Sequence, residues 1–316
     1  NFWNLCGSSI GIAQGGLGRY MAQWMVHGQT ELNMASLDSR RFGAWADRDY
    51  CITKAIESYE IMYTAVGVND NRPHARLKRI SPLHALLAEK GAVHTAVQGY
   101  EKPLWFKTDL IQSEPPTWQR SAAHAAVAEE CAAVHHTAGI IDISGAAKFE
   151  ISGPDASTFL DKMSSNKLPA KNGRMALTLF HAANGGIMTE QSITRINEQL
   201  YYLIGPIASE YRDLDWMQQH CSGFNVKIDN CTDGMAAVLL TGPNSRAILQ
   251  QLTNNDLSAK ALPWLGCQTI KIDSAQVRIL RVSYAGELGF ELHMPGYQLL
   301  SIYQSLQRVG AEHGLR

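Results

Sequence analysis

The feature that most constrains the fold is an internal echo. Phe149-Glu150-Ile151-Ser152-Gly153-Pro154-Asp155-Ala156 leads into Phe159-Leu160, and Val238-Leu239-Leu240-Thr241-Gly242-Pro243-Asn244-Ser245 leads into Ile248-Leu249. Each reads as a strand, a Gly-Pro turn and the start of a helix, with proline suited to the first helical turn. The copies stand 89 residues apart, from Gly153 to Gly242, too far for a solenoid repeat. They predict two related α+β units within one domain. Further strands are expected at 199–204, 269–272 and 277–284, with Asp273-Ser274-Ala275 turning between the last two.

Upstream of the echo the chain changes character. Residues 1–28 read as strand, glycine turn and helix. Leu17, Tyr20, Met21, Trp24 and Met25 fall on one helical face that ends near His27-Gly28. A helix is expected over 50–63, with strand-like stretches around Val93 and Trp105. Ser113-Glu114-Pro115-Pro116-Thr117 reads as a linker and the main boundary. An Ala-rich helix over 118–136 follows, with Gly139 as its expected C-cap. A length of 316 residues fits two or more domains, and 45% hydrophobic against 18% charged residues argues against disorder. With Lys+Arg 28 against Asp+Glu 29, no charge field points to nucleic acid or an anionic membrane. The longest apolar runs, such as 235–240, are too short to span a bilayer. The six cysteines are scattered without a Cys-x-x-Cys pair, so no disulfide framework and no metal site is expected.

Three segments carry candidate chemistry. In the first, Cys6 to Gly18, glycines at 7, 11, 15, 16 and 18 let backbone approach a ligand, and the following helix points its positive end at it. It also reads as a plain tight turn, and it is neither a Gly-x-Gly-x-x-Gly fingerprint nor a Walker A loop. In the second, Gly185 to Ile193, Glu190 sits among Thr189, Gln191 and Ser192 near bulky apolar residues. A carboxylate so placed suits acid/base work, or is simply a solvent-facing strand residue. In the third, Ser283 to Pro295, strand alternation sets Phe290, Leu292 and Met294 on one face and Glu291 with His293 on the other. A fixed carboxylate offers two acceptor oxygens to a planar heterocycle with two adjacent N–H donors, such as a pterin. The plainer reading is an exposed strand edge.

Taken together and in order, these segments resemble the dimethylglycine/sarcosine dehydrogenase family, flavoproteins whose C-terminal half is similar to the aminomethyltransferase (T-protein) of the glycine cleavage system. The match rests on residues 1–28, Arg41-Phe42, 50–59, Arg79-Ile80-Ser81-Pro82-Leu83, 99–106, Ile140 to Ser144, the two Gly-Pro turns, and Tyr284 to Glu291. The resemblance implies an α+β chain in three parts: the end of an FAD-dependent oxidoreductase domain (1–35), a central oxidoreductase domain (36–115) and a C-terminally truncated T-protein-like folate-binding domain (116–316). It implies an internal fragment, with the dinucleotide-binding fingerprint and the end of the folate pocket outside it.

It further implies FAD and tetrahydrofolate as cofactors. The FAD contacts would be Gly11, Ile12, Ala13, Gly15 and Gly16. The folate contacts would be Glu190, Gln191, Ser192, Tyr284, Glu291, Leu292 and His293, with Glu190 as the catalytic acid where T-proteins carry Asp-Asp. The reaction implied is oxidative demethylation of a small N-methyl amine, with the one-carbon unit passed to tetrahydrofolate. An electron-transfer flavoprotein is a possible electron acceptor, and a bacterial cytoplasm or mitochondrial matrix the implied compartment. Alternatives are a T-protein-like aminomethyl or methyl transferase without flavin chemistry, and a non-catalytic folate-binding module.

Overall fold

A computed structural model describes residues 5, 14–64, 71–115 and 117–316. They fall into two compact units, Asn1–Gly43 and Ala44–Arg316. In the first, helix α1 (Gln14–His27) ends at Gly28, whose φ of 70° no β-branched residue would accept readily. Leu17, Tyr20, Met21 and Trp24 are half-buried as the helical spacing predicts, while Met25 is exposed. Two single turns of 3₁₀ helix follow, Ala35–Leu37 and Ser39–Arg41. Between them the Asp38 carboxylate accepts the Arg40 backbone N–H at 2.9 Å.

The second unit opens with α2 (Arg48–Glu60), capped by the Asp47 carboxylate, which accepts the Tyr50 N–H at 2.7 Å. Then come α3 (His84–Glu89), the hairpin β1 (Ala92–Val97) and β2 (Tyr100–Phe106), and α4 (Ala123–His136). Leu83 and Leu87 pack into the same core as residues from Ala138 to Leu306, so the Pro-Pro segment joins stretches that share one core. Gly139 is not the cap of α4. Thr137 caps it, its N–H bonding Ala133 O at 2.7 Å, and Gly139 begins the next strand.

Two five-stranded antiparallel sheets form the body. In chain order the elements are β3 (Gly139–Asp142), β4 (Ala147–Ser152), α5 (Ala156–Met163), β5 (Arg174–His181), β6 (Ile187–Asn197), β7 (Leu200–Gly205), α6 (Glu210–His220), β8 (Lys227–Asn230), β9 (Met235–Thr241), α7 (Ser245–Gln250), β10 (Cys267–Ile272), β11 (Ala275–Leu280), β12 (Gly289–Pro295) and α8 (Leu299–Gly310). One sheet runs β5-β6-β7-β4-β8 and the other β10-β11-β12-β9-β3. The sequence echo is therefore a duplicated topology: β4 to β7 with α5 and α6 repeat as β9 to β12 with α7 and α8. Only the fifth strand differs in origin, coming after the unit in one sheet and before it in the other.

The Gly-Pro turns recur for a steric reason. Gly153 and Gly242 have φ of 129° and 115°, in the glycine-favouring region. A Cβ on Gly153 would lie 2.3 Å from Asn225 O, and one on Gly242 2.7 Å from Thr137 O.

Each sheet has one apolar face against its helices. Phe149, Ile151, Ile193, Tyr201 and Leu203 pack with Phe159, Leu160 and Met217 in one core. Val238, Leu240, Val277, Ile279, Phe290, Leu292 and Met294 pack with Ile248, Leu249, Ile302 and Leu306 in the other. Period-two alternation sets a mixed face opposite each, with Lys148, Glu150, Thr194 and Tyr202 beside Leu200 and Ile204 in one sheet, and Arg278, Glu291 and His293 beside Leu239 and Leu280 in the other. The polar groups of these two faces meet: Tyr202 of β7 bonds His293 of β12, and Arg278 of β11 bonds Glu150 of β4.

Candidate functional site

The site grows out of that polar interlayer. Strand register aligns its members, since residues paired across neighbouring strands share a face. Tyr202 pairs with Glu150 on β4 and with Thr194 on β6, and Lys148 pairs with Ile204. Lys148, Glu150, Tyr202 and Thr194 therefore face the second sheet. From that sheet, Arg278 stands opposite His293 in register, and Glu291 lies two residues along β12.

The contacts are specific. Tyr202 Oη is 3.0 Å from His293 Nδ1, and His293 Nε2 is 3.0 Å from Glu291 Oε2. Both Arg278 terminal nitrogens donate to Glu150 Oε1 at 3.1 Å, and its guanidinium carbon lies 4.3 Å from the Tyr202 ring centroid. Lys148 is fully buried, and its ammonium donates to Ser144 O at 2.7 Å and Ala146 O at 2.8 Å. Burial brings the Lys148 amine down to about 8 despite the neighbouring Cys231, Asp142, Glu210 and Glu291. Burial also lowers the proton affinity of the His293 imidazole against the pull of Glu291, and raises the Tyr202 phenol well above its ordinary value.

Lys148 provides a direct check on this interior. An amine that folds into a site lowering its pKa from 10.5 to about 8 binds fewer protons folded than unfolded between those values. Stability attributable to it therefore rises as pH climbs from about 8 to 10.5, and its cost is fully present below pH 8. Denaturant titrations of wild type and Lys148→Met across pH 7–11 should diverge, with the wild type gaining about 3 kcal/mol relative to the variant over that window. Parallel curves would place the amine in contact with water.

The predicted site residues divide between the two sides of each sheet. Glu291 and His293 lie on the inward face of β12, and His293 is fully buried. Leu292 does not join them: it alternates to the other face and packs in the helix-side core. On β6, Glu190 and Ser192 share the inward face of Thr194. Glu190 stands four residues from Thr194, roughly 13 Å along the strand, and is exposed. The apolar wall expected around it is open to solvent on one side, for Leu177, paired with Ser192, is 53% exposed.

Gln191 and Thr189 point the other way. Gln191 Nε2 and Thr189 Oγ1 each donate to Asp213 Oδ2 of α6 at 2.8 Å, so Gln191 serves the helix packing. Tyr284 is 97% exposed, on the segment between β11 and β12. The expected strand over 277–284 ends at Leu280, with Arg281 N–H still bonding Gly266 O at 2.8 Å just beyond it. Of the expected flavin contacts, Gly11, Ile12 and Ala13 lie outside the described residues. Gly15 and Gly16 sit in the first turn of α1, with nothing within 4 Å of an added Cβ.

Lys148, Tyr202, Arg278 and Glu150 are absent from the sequence-based site. The only signal is polar residues at alternate positions of β4 and at Gln276 and Arg278 of β11, which a solvent-facing strand shows equally; Tyr202 alternates with Leu200 and Ile204 and gives none.

Two observations fit a polar ligand between the sheets. Thr194 Oγ1 is buried on the inward face without a hydrogen-bond partner. Among the described residues, Glu291 Oε1 also takes no hydrogen bond, while Oε2 is held by His293.

Residues 83–316 match the family described as the GCVT N-terminal domain. The chain belongs to the GCVT N-terminal domain family. Residues 27–81 match a second family, the FAD dependent oxidoreductase central domain. Mitochondrial dimethylglycine dehydrogenase of Rattus norvegicus is 31% identical over 320 residues, covering 100% of this chain and 37% of that protein. The 4-methylaminobutanoate oxidase (formaldehyde-forming) of Paenarthrobacter nicotinovorans is 27% identical, covering 95% of this chain and 37% of that protein. The chain thus spans little more than a third of the length of these relatives. The crystal structure of aminomethyltransferase T from Bartonella henselae superposes with a TM-score of 0.62 at 21% identity, over 75% of this chain and 58% of that one, and shares the fold. Among the described residues, no helix is long and apolar enough to cross a membrane.

Proposed function

We propose that this chain is the folate-handling part of an enzyme that oxidatively demethylates a small N-methyl amine of the dimethylglycine or sarcosine type and passes the one-carbon unit to tetrahydrofolate. The reading is supported by the two family matches in this order along the chain and by the names of its relatives. FAD would supply the hydride-accepting chemistry. Its expected contacts at Gly11, Ile12 and Ala13 lie outside the described residues, so no step is assigned to them. The reading takes a bacterial cytoplasm or mitochondrial matrix as its compartment and leaves an electron-transfer flavoprotein as one electron acceptor.

The observation that carries the folate half is the Glu291 carboxylate. It lies on the inward face, with one oxygen held by His293 and the other free. Two side-by-side acceptors suit the adjacent N–H donors of a pterin ring. Thr194 Oγ1, buried and unpartnered, offers a second polar contact. Glu190, on the same face and open to water, would hold or move a proton, and Ser192 lies between Glu190 and Thr194 on that face. Tyr284, exposed on the segment leading to β12, is close in sequence to the same strand and available to stack on a flat ring.

Calorimetric titration of 5-formyltetrahydrofolate into the full-length protein tests this. The wild type should bind, and Glu291→Gln should weaken binding by about tenfold or more, as loss of charge-assisted hydrogen bonds does. Equal affinities would remove Glu291 from the folate contacts.

A further inference from the structure

We infer that His293 is a positioning residue for Glu291, with its tautomer set by that carboxylate and matched from the opposite sheet by a hydrogen bond from Tyr202. The inference rests on the reading of Glu291 as the pterin anchor and adds what holds that anchor in place.

The argument runs through proton inventory. The His293 ring is fully buried. Burial, and the fields of Lys148 and Arg278 facing it, oppose its charging, and only Glu291 favours the cation. The neutral ring carries one N–H. Glu291 is a carboxylate and can only accept, so the 3.0 Å contact with Oε2 requires the proton on Nε2. Nδ1 is then a bare acceptor, and its partner 3.0 Å away must donate. Tyr202 can do so, because burial keeps its phenol protonated. The result is a one-way chain of donors: Tyr202 Oη–H to His293 Nδ1, and His293 Nε2–H to Glu291 Oε2.

The other charged groups of the interlayer are engaged elsewhere. Arg278 donates to Glu150, and Lys148 to two backbone carbonyls. His293 is accordingly the donor that fixes the Glu291 carboxylate. An oxygen has two lone pairs, so one on Oε2 and both on Oε1 remain for a ligand. Because Tyr202 belongs to the first sheet and His293 to the second, the orientation of the anchor depends on the two sheets being in register.

The test uses the full-length protein, His293→Gln, His293→Asn and Tyr202→Phe. Two readouts are needed: the ¹⁵N chemical shifts of the His293 ring without ligand, and the affinity for 5-formyltetrahydrofolate. The wild-type ring should be neutral with its proton on Nε2. Gln places its amide nitrogen near the Nε2 position and should keep the affinity within about threefold. Asn reaches only the Nδ1 position and should lose about tenfold or more. Tyr202→Phe removes the hydroxyl while keeping the ring, and should leave the proton on Nε2 but Nδ1 without its donor, shifting the Nδ1 ¹⁵N resonance and giving an intermediate loss of affinity. Thermal melting of each variant separates a lost fold from a lost orientation.

A wild-type ring protonated on Nδ1, or Gln and Asn variants that fold and bind alike, would overturn the inference. A wild type with the Nε2–H tautomer that takes up no probe would overturn the folate reading, while the orienting contact itself stands supported.

Discussion

On the function proposed above, replacing Glu190 by Gln in the full-length protein is expected to lower one-carbon transfer to tetrahydrofolate by about two orders of magnitude, the range set by a lost acid/base group. Flavin reduction by the amine should stay within a factor of about two. The structure makes this a clean experiment. Glu190 is exposed on β6 and makes no ion pair among the described residues. Its replacement should therefore change stability by no more than about 0.5 kcal/mol, so lost transfer cannot be blamed on lost fold. Single-turnover flavin reduction and methylenetetrahydrofolate formation, measured on one preparation, separate the two half-reactions. Equal loss in both would remove Glu190 from the folate side.

The second large effect concerns stability. Arg79 is buried, with terminal nitrogens 2.8 Å from Glu210 Oε2 and 2.7 Å from Asp233 Oδ1. Glu210 is almost wholly buried, and its remaining side-chain partner is Asn230 at 2.8 Å. The Asp233 side chain is 65% exposed and loses little when its partner goes. Arg79→Met should thus destabilise the protein by about 3–5 kcal/mol, the cost of leaving one buried charge unpaired. Adding Glu210→Gln should recover a large part of that. A single-variant loss below about 1 kcal/mol in denaturant titration would show that water reaches Glu210.

The sequence exposes the parts of this architecture that depend on local geometry. The two Gly-Pro turns are visible because only glycine fits where a Cβ would strike Asn225 O or Thr137 O. The faces of β12 are visible because Phe290, Leu292 and Met294 alternate with Glu291 and His293. The same rule, applied to β6 and β12, already excludes Gln191 and Leu292 from the inward faces. Grouping them with Glu190 and Glu291 followed sequence adjacency where side-chain direction decides.

What stays hidden is the partner of a polar face. Lys148 and Glu150 alternate with Phe149 and Ile151 as on any half-exposed strand, and Tyr202 and Arg278 are equally unremarkable. No local pattern distinguishes a face covered by water from one covered by a second polar sheet. Arg79 is hidden in the same way: nothing in its neighbours along the chain marks it as buried until Glu210, 131 positions away, is brought beside it.

The register of the doubled unit has one more consequence. Tyr202 lies opposite Glu150, three residues before Gly153, and Glu291 lies opposite Leu239, three residues before Gly242. They are the same position in the two copies, 89 residues apart. The copies have diverged there into a phenol in one and an acid in the other, and two positions further along into Ile204 in one and His293 in the other. The acid can only accept, so the chain from Tyr202 through His293 ends at Glu291 and gives the interior a direction. Exchanging the two identities would set the acid on the opposite half of the body.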